Sequence, residues 1–358
     1  MANLNSYGFI SYGDIATQRV SAGNVRVVDE AIRASVVEHN RQVTAALAEL
    51  VETTTAPSRR YKIGGGGSLQ PLDEYGNPKV VRDKGQYDVA FPIQGGGTAW
   101  GDNRVSRAMM TVQEADRYTL NALRRDANWM KRHVLAALLD NTSYTFLDPD
   151  DDVGTLTIQP LANGDSVEYL KKDGNSAADT HYYAQAAAIA DANNPFPALH
   201  TELAEHMENE GPYVVYVSTS LKASIMGLTT FHDVEDQNLE RGSGQTRLVG
   251  RIERGFGDEV LGYVEPGVWI VEWSVMPAGY GIMVARGATT PALGMREYEA
   301  AGLQGLFTEN HSPDGNLNEY RFIRYAGFGA LNRTAALAFQ IGNAAYQIPT
   351  GYSTPLPA

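Results

Sequence analysis

The chain has 358 residues, a formal net charge of −13 and no cysteine. Disulfides, thiolate metal sites and a cysteine nucleophile are therefore excluded together, and the composition is that of an ordinary folded protein. No stretch offers the roughly 18 apolar residues that span a bilayer. The first twenty residues lack the basic start and apolar run of a secretion signal, so the chain is read as soluble, without a membrane partner, and staying where it is made.

Charge is segregated. From Arg59 to Thr145 there are 13 basic and 9 acidic residues, a balance of +4; from Phe146 to Glu240 there are 3 and 17, a balance of −14. Such segregation suggests head-to-tail contacts between copies, or a basic rod against an acidic domain. It argues against tight nucleic-acid binding, which needs clustered Lys and Arg to release counterions.

In chain order, residues 1–23 are aperiodic. Val28, Ile32, Val36, Val43, Leu47 and Leu50 mark an amphipathic helix from Val25 to near Glu52, close enough to a 3.5 spacing to pair with another helix or to pack on its own domain. Residues 58–100 read as an extended two-stranded arm. Tyr61 and Ile63 alternate on one strand, and Tyr87, Val89, Phe91 and Ile93 on the other. Two glycine runs, Gly64, Gly65, Gly66, Gly67 and Gly95, Gly96, Gly97, read as flexible joints, and turns are expected at Tyr75–Pro78 and Asp83–Gly85. An isolated hairpin is marginal in water, so the apolar positions of this one are expected to lie on a neighbouring copy.

The most regular stretch is Asn103–Asn141, where Val105, Met109, Val112, Ala115, Leu120, Leu123, Ala127, Met130, Val134 and Leu138 recur at helical spacing. A helix of that length would run about 55 Å, capped by Asp102 or Asn103. Beyond it, a hairpin is expected to join Thr155–Ile158 and Ser166–Leu170. Helices are expected at Tyr183–Ala192, Leu199–Asn209 and Ser220–Leu228, and a long loop at residues 236–259. Strands are expected at Tyr213–Val217, Val268–Trp273, Gly281–Val284, Tyr320–Tyr325 and Ala335–Ile341.

Chemistry is sparse, and no catalytic, metal or cofactor residue is assigned. Gly64–Gly67 lacks the Lys-Ser/Thr of a phosphate loop. Asp148, Asp150 and Asp152 lack the turn glycine and closing glutamate of a calcium loop and read as a solvated acidic turn. His200 and His206, six residues apart on one helix, point in different directions. Ser218 and Ser220 lack a nucleophile elbow, and Trp269, Val271 and Trp273 read as one core face.

The order of parts resembles the tailed-bacteriophage major capsid protein of the Hong Kong 97 type. The resemblance implies an α+β fold with an N-terminal arm (1–57), an extended loop (58–100) and a peripheral domain carrying the spine helix (101–210). An axial domain (211–300) and a return to the peripheral domain with the C-terminal tail (301–358) complete it. It further implies a structural protein, not an enzyme, that self-assembles in the host bacterial cytoplasm into pentamers and hexamers of an icosahedral virion shell. That shell encloses DNA without sequence-specific binding, beside separate scaffold, portal and decoration proteins. The scaffolding segment of some members has no counterpart in Met1–Pro57, and residues 147–175 read as an insertion. Lys62, Lys79 and Lys84 on the loop, with Asn332 and Asn343, match the residue types that some members crosslink, but spacing selects no pair. An encapsulin-type nanocompartment shell shares the implied fold. A hydrolase or carbohydrate-binding protein is the reading from a different class.

Overall fold

The computed structural model describes residues 19–20, 25–62, 71–78, 86–101, 109–233, 257–311 and 319–356. Helix α1 (Val25–Leu47) is followed by strands β1 (Val51–Thr54), β2 (Ser58–Lys62), β3 (Gln86–Ala90) and β4 (Gln94–Gly101), then by helix α2 (Val112–Leu139). Strands β5 (Tyr144–Leu147), β6 (Thr155–Ile158), β7 (Glu168–Leu170), β8 (Ser176–Ala178) and β9 (Tyr182–Gln185) precede helix α3 (Phe196–Ala204), β10 (Tyr213–Val217) and the short helix α4 (Lys222–Met226). Then come β11 (Phe231–Asp233), β12 (Glu259–Val264), β13 (Val268–Glu272), β14 (Tyr280–Ala285), β15 (Leu293–Arg296) and β16 (Leu306–His311). The long β17 (Glu319–Ala330) and β18 (Ala336–Ile341) end the series.

Helix α2 is the rod that periodicity demanded, but it is shorter. Its 28 residues span about 42 Å. Thr111 is extended (φ −90°, ψ 160°), and its side chain accepts from the Glu114 N–H while the Glu114 carboxylate accepts from the Thr111 N–H. This capping box, Thr111-x-x-Glu114, sets the start, so no continuous helix runs from Asn103. The apolar repeat carried the sequence reading past the chemistry that stops the helix; residues 102–108 themselves lie outside the described residues.

Helix α1 lies along α2. Val28, Ile32 and Val36 are buried with Ala115 and Ala122 of α2 and with Leu306, Tyr320 and Phe322. Leu47 joins the main core, where Val43 packs at its edge. The helix ends at Leu47, not near Glu52. The β-branched run Val51–Thr54 suits a strand better than a helix, and β1 pairs parallel with β15.

Two sheets complete the body. One runs β1-β15-β17-β16, with β4 also paired to β17. The twelve-residue β17 serves β16 along one edge, β4 along the other, and β15 through its last four residues. The second sheet, of seven strands, runs β11-β12-β13-β10-β14-β18-β9. Its central β10 is buried on both faces, as its unbroken apolar run required. Val214 and Tyr216 face the core containing Met130, Val134 and Leu138 of α2. Tyr213, Val215 and Val217 face Phe196, Leu199 and Leu203 of α3. Trp269, Val271 and Trp273 share the α2 side as expected.

Several local expectations are corrected. β6 pairs with β5, and β7 with β8, so no hairpin joins 155–158 to 166–170. The alanine-rich 183–192 is not a helix: β9 adds parallel to β18, and only Asp191–Asn193 coils, as a 3-10 turn. Tyr182 and Tyr183 at its start favour a pleated strand. Helix α3 spans Phe196–Ala204 rather than 199–209. The Ser220–Leu228 helix is a 3-10 turn at Thr219–Leu221 continued by α4. Most of the expected loop 236–259 lies outside the described residues.

Gly95, Gly96 and Gly97 are not a joint. They form the middle of β4, opposite Tyr325, Arg324 and Ile323. A Cβ at Gly96 would come within 2.9 Å of the Trp129 ring, so the residue is small to let the spine pack flat on the strand, not to let the chain bend. The matching expectation for Gly64, Gly65, Gly66 and Gly67, and for Ile63, lies outside the described residues.

Candidate functional site

The ribbon β2–β3 carries the residues expected to touch other copies. Its antiparallel ladder runs from Ser58 opposite Ala90 to Lys62 opposite Gln86. Tyr87, Val89, Phe91 and Ile93 are buried against their own chain, which corrects the expectation that a neighbour covers them. Tyr87, Val89 and Phe91 cluster with Tyr169 and Leu331. The Tyr87 hydroxyl donates to the Leu331 carbonyl (2.9 Å) and accepts from the Arg333 N–H (3.0 Å). Tyr61 is half-buried, stacks on Tyr87 at 5.2 Å, and donates its hydroxyl to Glu208. Burial and the Glu208 carboxylate both push the Tyr61 hydroxyl above its ordinary pKa. The sequence reading missed the floor beneath this base. Cβ atoms at Gly294, Gly327 and Gly329 would meet Phe91, Pro92 and Ala90, so three glycines of β15 and β17 make the seat.

The far end of the ribbon is different. Residues 71–78 form a turn around Asp73, whose carboxylate accepts from the N–H groups of Tyr75 (2.9 Å) and Asn77 (2.7 Å). The Asp73 N–H donates to the Asn77 carbonyl, and Gly76, at φ +79°, donates to the Asp73 carbonyl. The bonds that the carboxylate accepts from Asn77 and Tyr75 hold the Asp73 carboxyl below its ordinary range. Leu72 is 61% exposed and Tyr75 82%. The turn was legible as Tyr-Gly-Asn-Pro; that it presents two large apolar side chains to solvent was not.

Buried charge fixes the limbs to the body. Asp126 of α2 accepts from Arg324 of β17 (2.7 and 2.9 Å) and lies 2.8 Å from the His39 ring of α1. Burial alone would raise the Asp126 pKa, but the hydrogen bonds from His39 and Arg324 and the Arg324 charge outweigh it and hold the carboxyl low. Arg286 pairs with Glu49, Arg296 with Asp148, and Arg333 with Asp165. Asp148 is therefore buried and neutralised rather than solvated. Asp150 and Asp152 donate backbone N–H groups to the carboxylates of Asp148 and Asp150, a chain of local turns.

The other candidates resolve into structural roles. Ser218 and Ser220 lie 2.9 Å apart and both accept from the Gly279 N–H, which fixes the turn into β14. His206 falls beyond the end of α3 and meets His181 at 3.0 Å, both rings buried. His200 instead packs edge-on to Tyr213. Asp179, Glu205 and His206 bring ligand-type atoms within 4.8 Å of one another. The Lys171 ammonium already sits 2.7 Å from Glu205 and 3.2 Å from Asp179, where a cation would go. Burial, with Asp179 and Glu205 nearby, pushes the Glu202 carboxyl up to about 7. Asn332 is fully buried, its amide donating to Glu208 and the Thr290 carbonyl and its oxygen accepting from Thr334. Lys62 ends β2, and Lys79 and Lys84 lie outside the described residues.

No protein-family model matches the sequence, and no curated protein matches it. A solved structure from Mycobacterium phage Patience is similar at 19% identity and a TM-score of 0.64, over 99% of both chains. The mature capsid of bacteriophage PhiM1 (11% identity, TM-score 0.44) covers 83% of this chain and 86% of its own. A virus-like particle from Pyrococcus furiosus (12%, 0.39) covers 87% and 98%. The last two scores are too low to bear on the assignment. The chain has the α+β, Hong Kong 97-like capsid fold.

Proposed function

We propose that the chain is a major capsid protein of a tailed bacteriophage, which assembles with copies of itself into an icosahedral shell around double-stranded DNA. The observation that carries this is the 99% two-way coverage of the phage Patience chain at a TM-score of 0.64. The likeness therefore runs through the whole of the described fold, although fold alone never fixes function. The ribbon supplies the physical reason for assembly. Its base is covered by its own chain, while its tip holds Leu72 and Tyr75 in water on a hydrogen-bonded turn. In this proposal the tip is the part that a neighbouring copy covers. The arm, loop, peripheral and axial divisions at 57, 100, 210 and 300 belong to the same proposal. So does the role of the virion as the place where the chain works.

Expression of the full chain tests this by size-exclusion chromatography and negative-stain microscopy. Closed particles in the megadalton range are expected. A Leu72→Ser/Tyr75→Ser variant is expected to keep its fold by circular dichroism yet fail to close. A chain that stays a small oligomer at every concentration rejects the shell. A variant that closes normal particles rejects the role of the tip.

A further inference from the structure

The outer face of the spine carries an uncommon arrangement of charge. Arg117, Asn121, Arg124 and Asn128 are exposed and fall within an arc of about 60° of the helix, opposite the buried Ala115, Ala122 and Asp126. Arg125, Lys131 and Arg132 flank them. From Arg117 to Arg132 the face extends about 22 Å. Between Arg117 and Leu139 the single acidic residue is Asp126, which is buried and engaged with Arg324 and His39.

None of the five cations pairs with a carboxylate among the described residues. Arg125 donates to the Thr98 hydroxyl (2.8 Å), Arg132 to the Gly351 carbonyl (3.2 Å), and Arg117 lies over the adjacent Tyr118 ring at 5.5 Å. Many other arginines of the described residues do have a carboxylate: the buried Arg296, Arg324 and Arg333, the half-buried Arg286, and the exposed Arg26, Arg33, Arg41, Arg59 and Arg60. A chain with a net charge of −13 has acids to give, yet among the described residues none pairs with the cations of this face, and the exposed Glu114 and Asp116 stop short of it. Screening over about 8 Å at physiological salt lets such a face attract anions although the whole molecule is negative.

The chemistry of the face selects the partner. A contact between proteins needs an apolar centre from which charge is depleted, whereas the middle of this strip is Arg and Asn, with the exposed Leu120 only at its edge. Those side chains are the ones that grip phosphate and sugar in nucleic-acid complexes. We infer that the outer face of α2 is a sequence-independent contact for the phosphate backbone of the enclosed double-stranded DNA. The inference rests on the shell reading, because a shell interior is where this chain would meet DNA. Phosphate contact by the spine alone also agrees with an acidic remainder that does not hold the DNA.

The test uses the full-length chain kept as unassembled subunits, with a short fluorescent DNA duplex read by anisotropy. Engaging three to five cations gives a log–log salt slope of about −2.7 to −4.5, a weakening of roughly 40- to 500-fold between about 50 and 200 mM salt. Arg117→Gln/Arg124→Gln/Lys131→Gln is expected to flatten the slope by about 3, while Arg117→Lys/Arg124→Lys keeps it. The same preparations are then concentrated and imaged. Wild-type shells without DNA affinity, or affinity that the Gln variant leaves unchanged, overturn the inference and leave the shell reading intact. A Gln variant that folds but forms no shells makes the face a contact between copies and also overturns it. If the Gln variant does not fold, the Lys variant decides: a wild-type slope supports the inference, and lost binding in a folded Lys variant overturns it. Absence of shells from the wild type counts against the shell reading alone.

Discussion

Replacing Asp126 with Asn removes one negative charge from a site where three donors converge. The shape of the side chain is kept, but one oxygen becomes an N–H donor facing Arg324 or His39, each of which donates there now. Arg324 is buried and would keep Asn40 and the one remaining side-chain oxygen at position 126 as acceptors, with no carboxylate to balance its charge. Removing one partner of a buried pair costs about 3–5 kcal/mol, against a typical total of about 5–15 kcal/mol. Urea unfolding of the unassembled chain at neutral pH should show a lower midpoint with an unchanged slope. Hydrogen exchange should accelerate first in α1, since His39 holds that helix to Asp126 of the spine and Asn40 holds it to Leu306 and to Arg324. An Asp126→Leu/Arg324→Met double variant should recover most of the loss, because apolar replacements of a buried pair are often neutral or better. The sign with pH follows from the depressed Asp126 pKa. Its stabilisation is present above the ordinary carboxylate value near 4 and is lost as pH falls through the lower folded value, and the double variant should lack that dependence. A single variant within about 1 kcal/mol of wild type, or a double variant no better than the single one, would refute the reasoning.

Gly327→Ala places a Cβ on the Pro92 carbonyl oxygen and within 3.1 Å of the Ile93 Cα, both backbone. No rotamer change relieves that overlap, so the loss should reach or pass the upper end of the usual 1–3 kcal/mol for overpacking; a wild-type melting temperature would show that the ribbon base does not sit on β17. Glu202, held up to about 7 by burial and by Asp179 and Glu205, binds its proton more tightly folded than unfolded. Its contribution therefore falls as pH rises from the ordinary glutamate value near 4.3 toward 7. Glu202→Gln should gain in melting temperature over wild type across that range, and a gap that does not change with pH would remove Glu202 as the cause.

What the sequence made legible was whatever rests on periodicity. The 3.6-residue repeats of α1 and α2, the alternation in β3 and the apolar runs of β10, β13 and β14 all appear as read, because burial of one face or two writes a pattern into neighbouring residues. Boundaries were lost where local chemistry competes with that pattern. Thr111-x-x-Glu114 ends the spine inside an apolar repeat, and Val51–Thr54 turns to strand after a helix that could have continued. Strand partners were lost for a different reason. Nothing near Tyr182 states that its partner is Ala338, since that choice is made by contacts far apart in sequence. The glycines misled most. Gly96 and Gly327 are small because a Trp129 ring and the Pro92 backbone lie against them, and a glycine run reads the same whether it bends or is pressed upon.

That distinction changes how the proposed shell would assemble. A ribbon unsatisfied along its whole length would leave the free subunit with exposed Tyr87, Val89, Phe91 and Ile93, prone to pair with any sheet edge. With these side chains buried on their own body, the chain instead exposes a short turn around Asp73 that carries Leu72 and Tyr75. A turn held in one conformation loses little entropy when it is covered, so each contact can be small and reversible while the shell gains by their number. Weak, repeated contacts let a misplaced subunit leave before the shell closes around it, which a strongly adhesive arm would prevent.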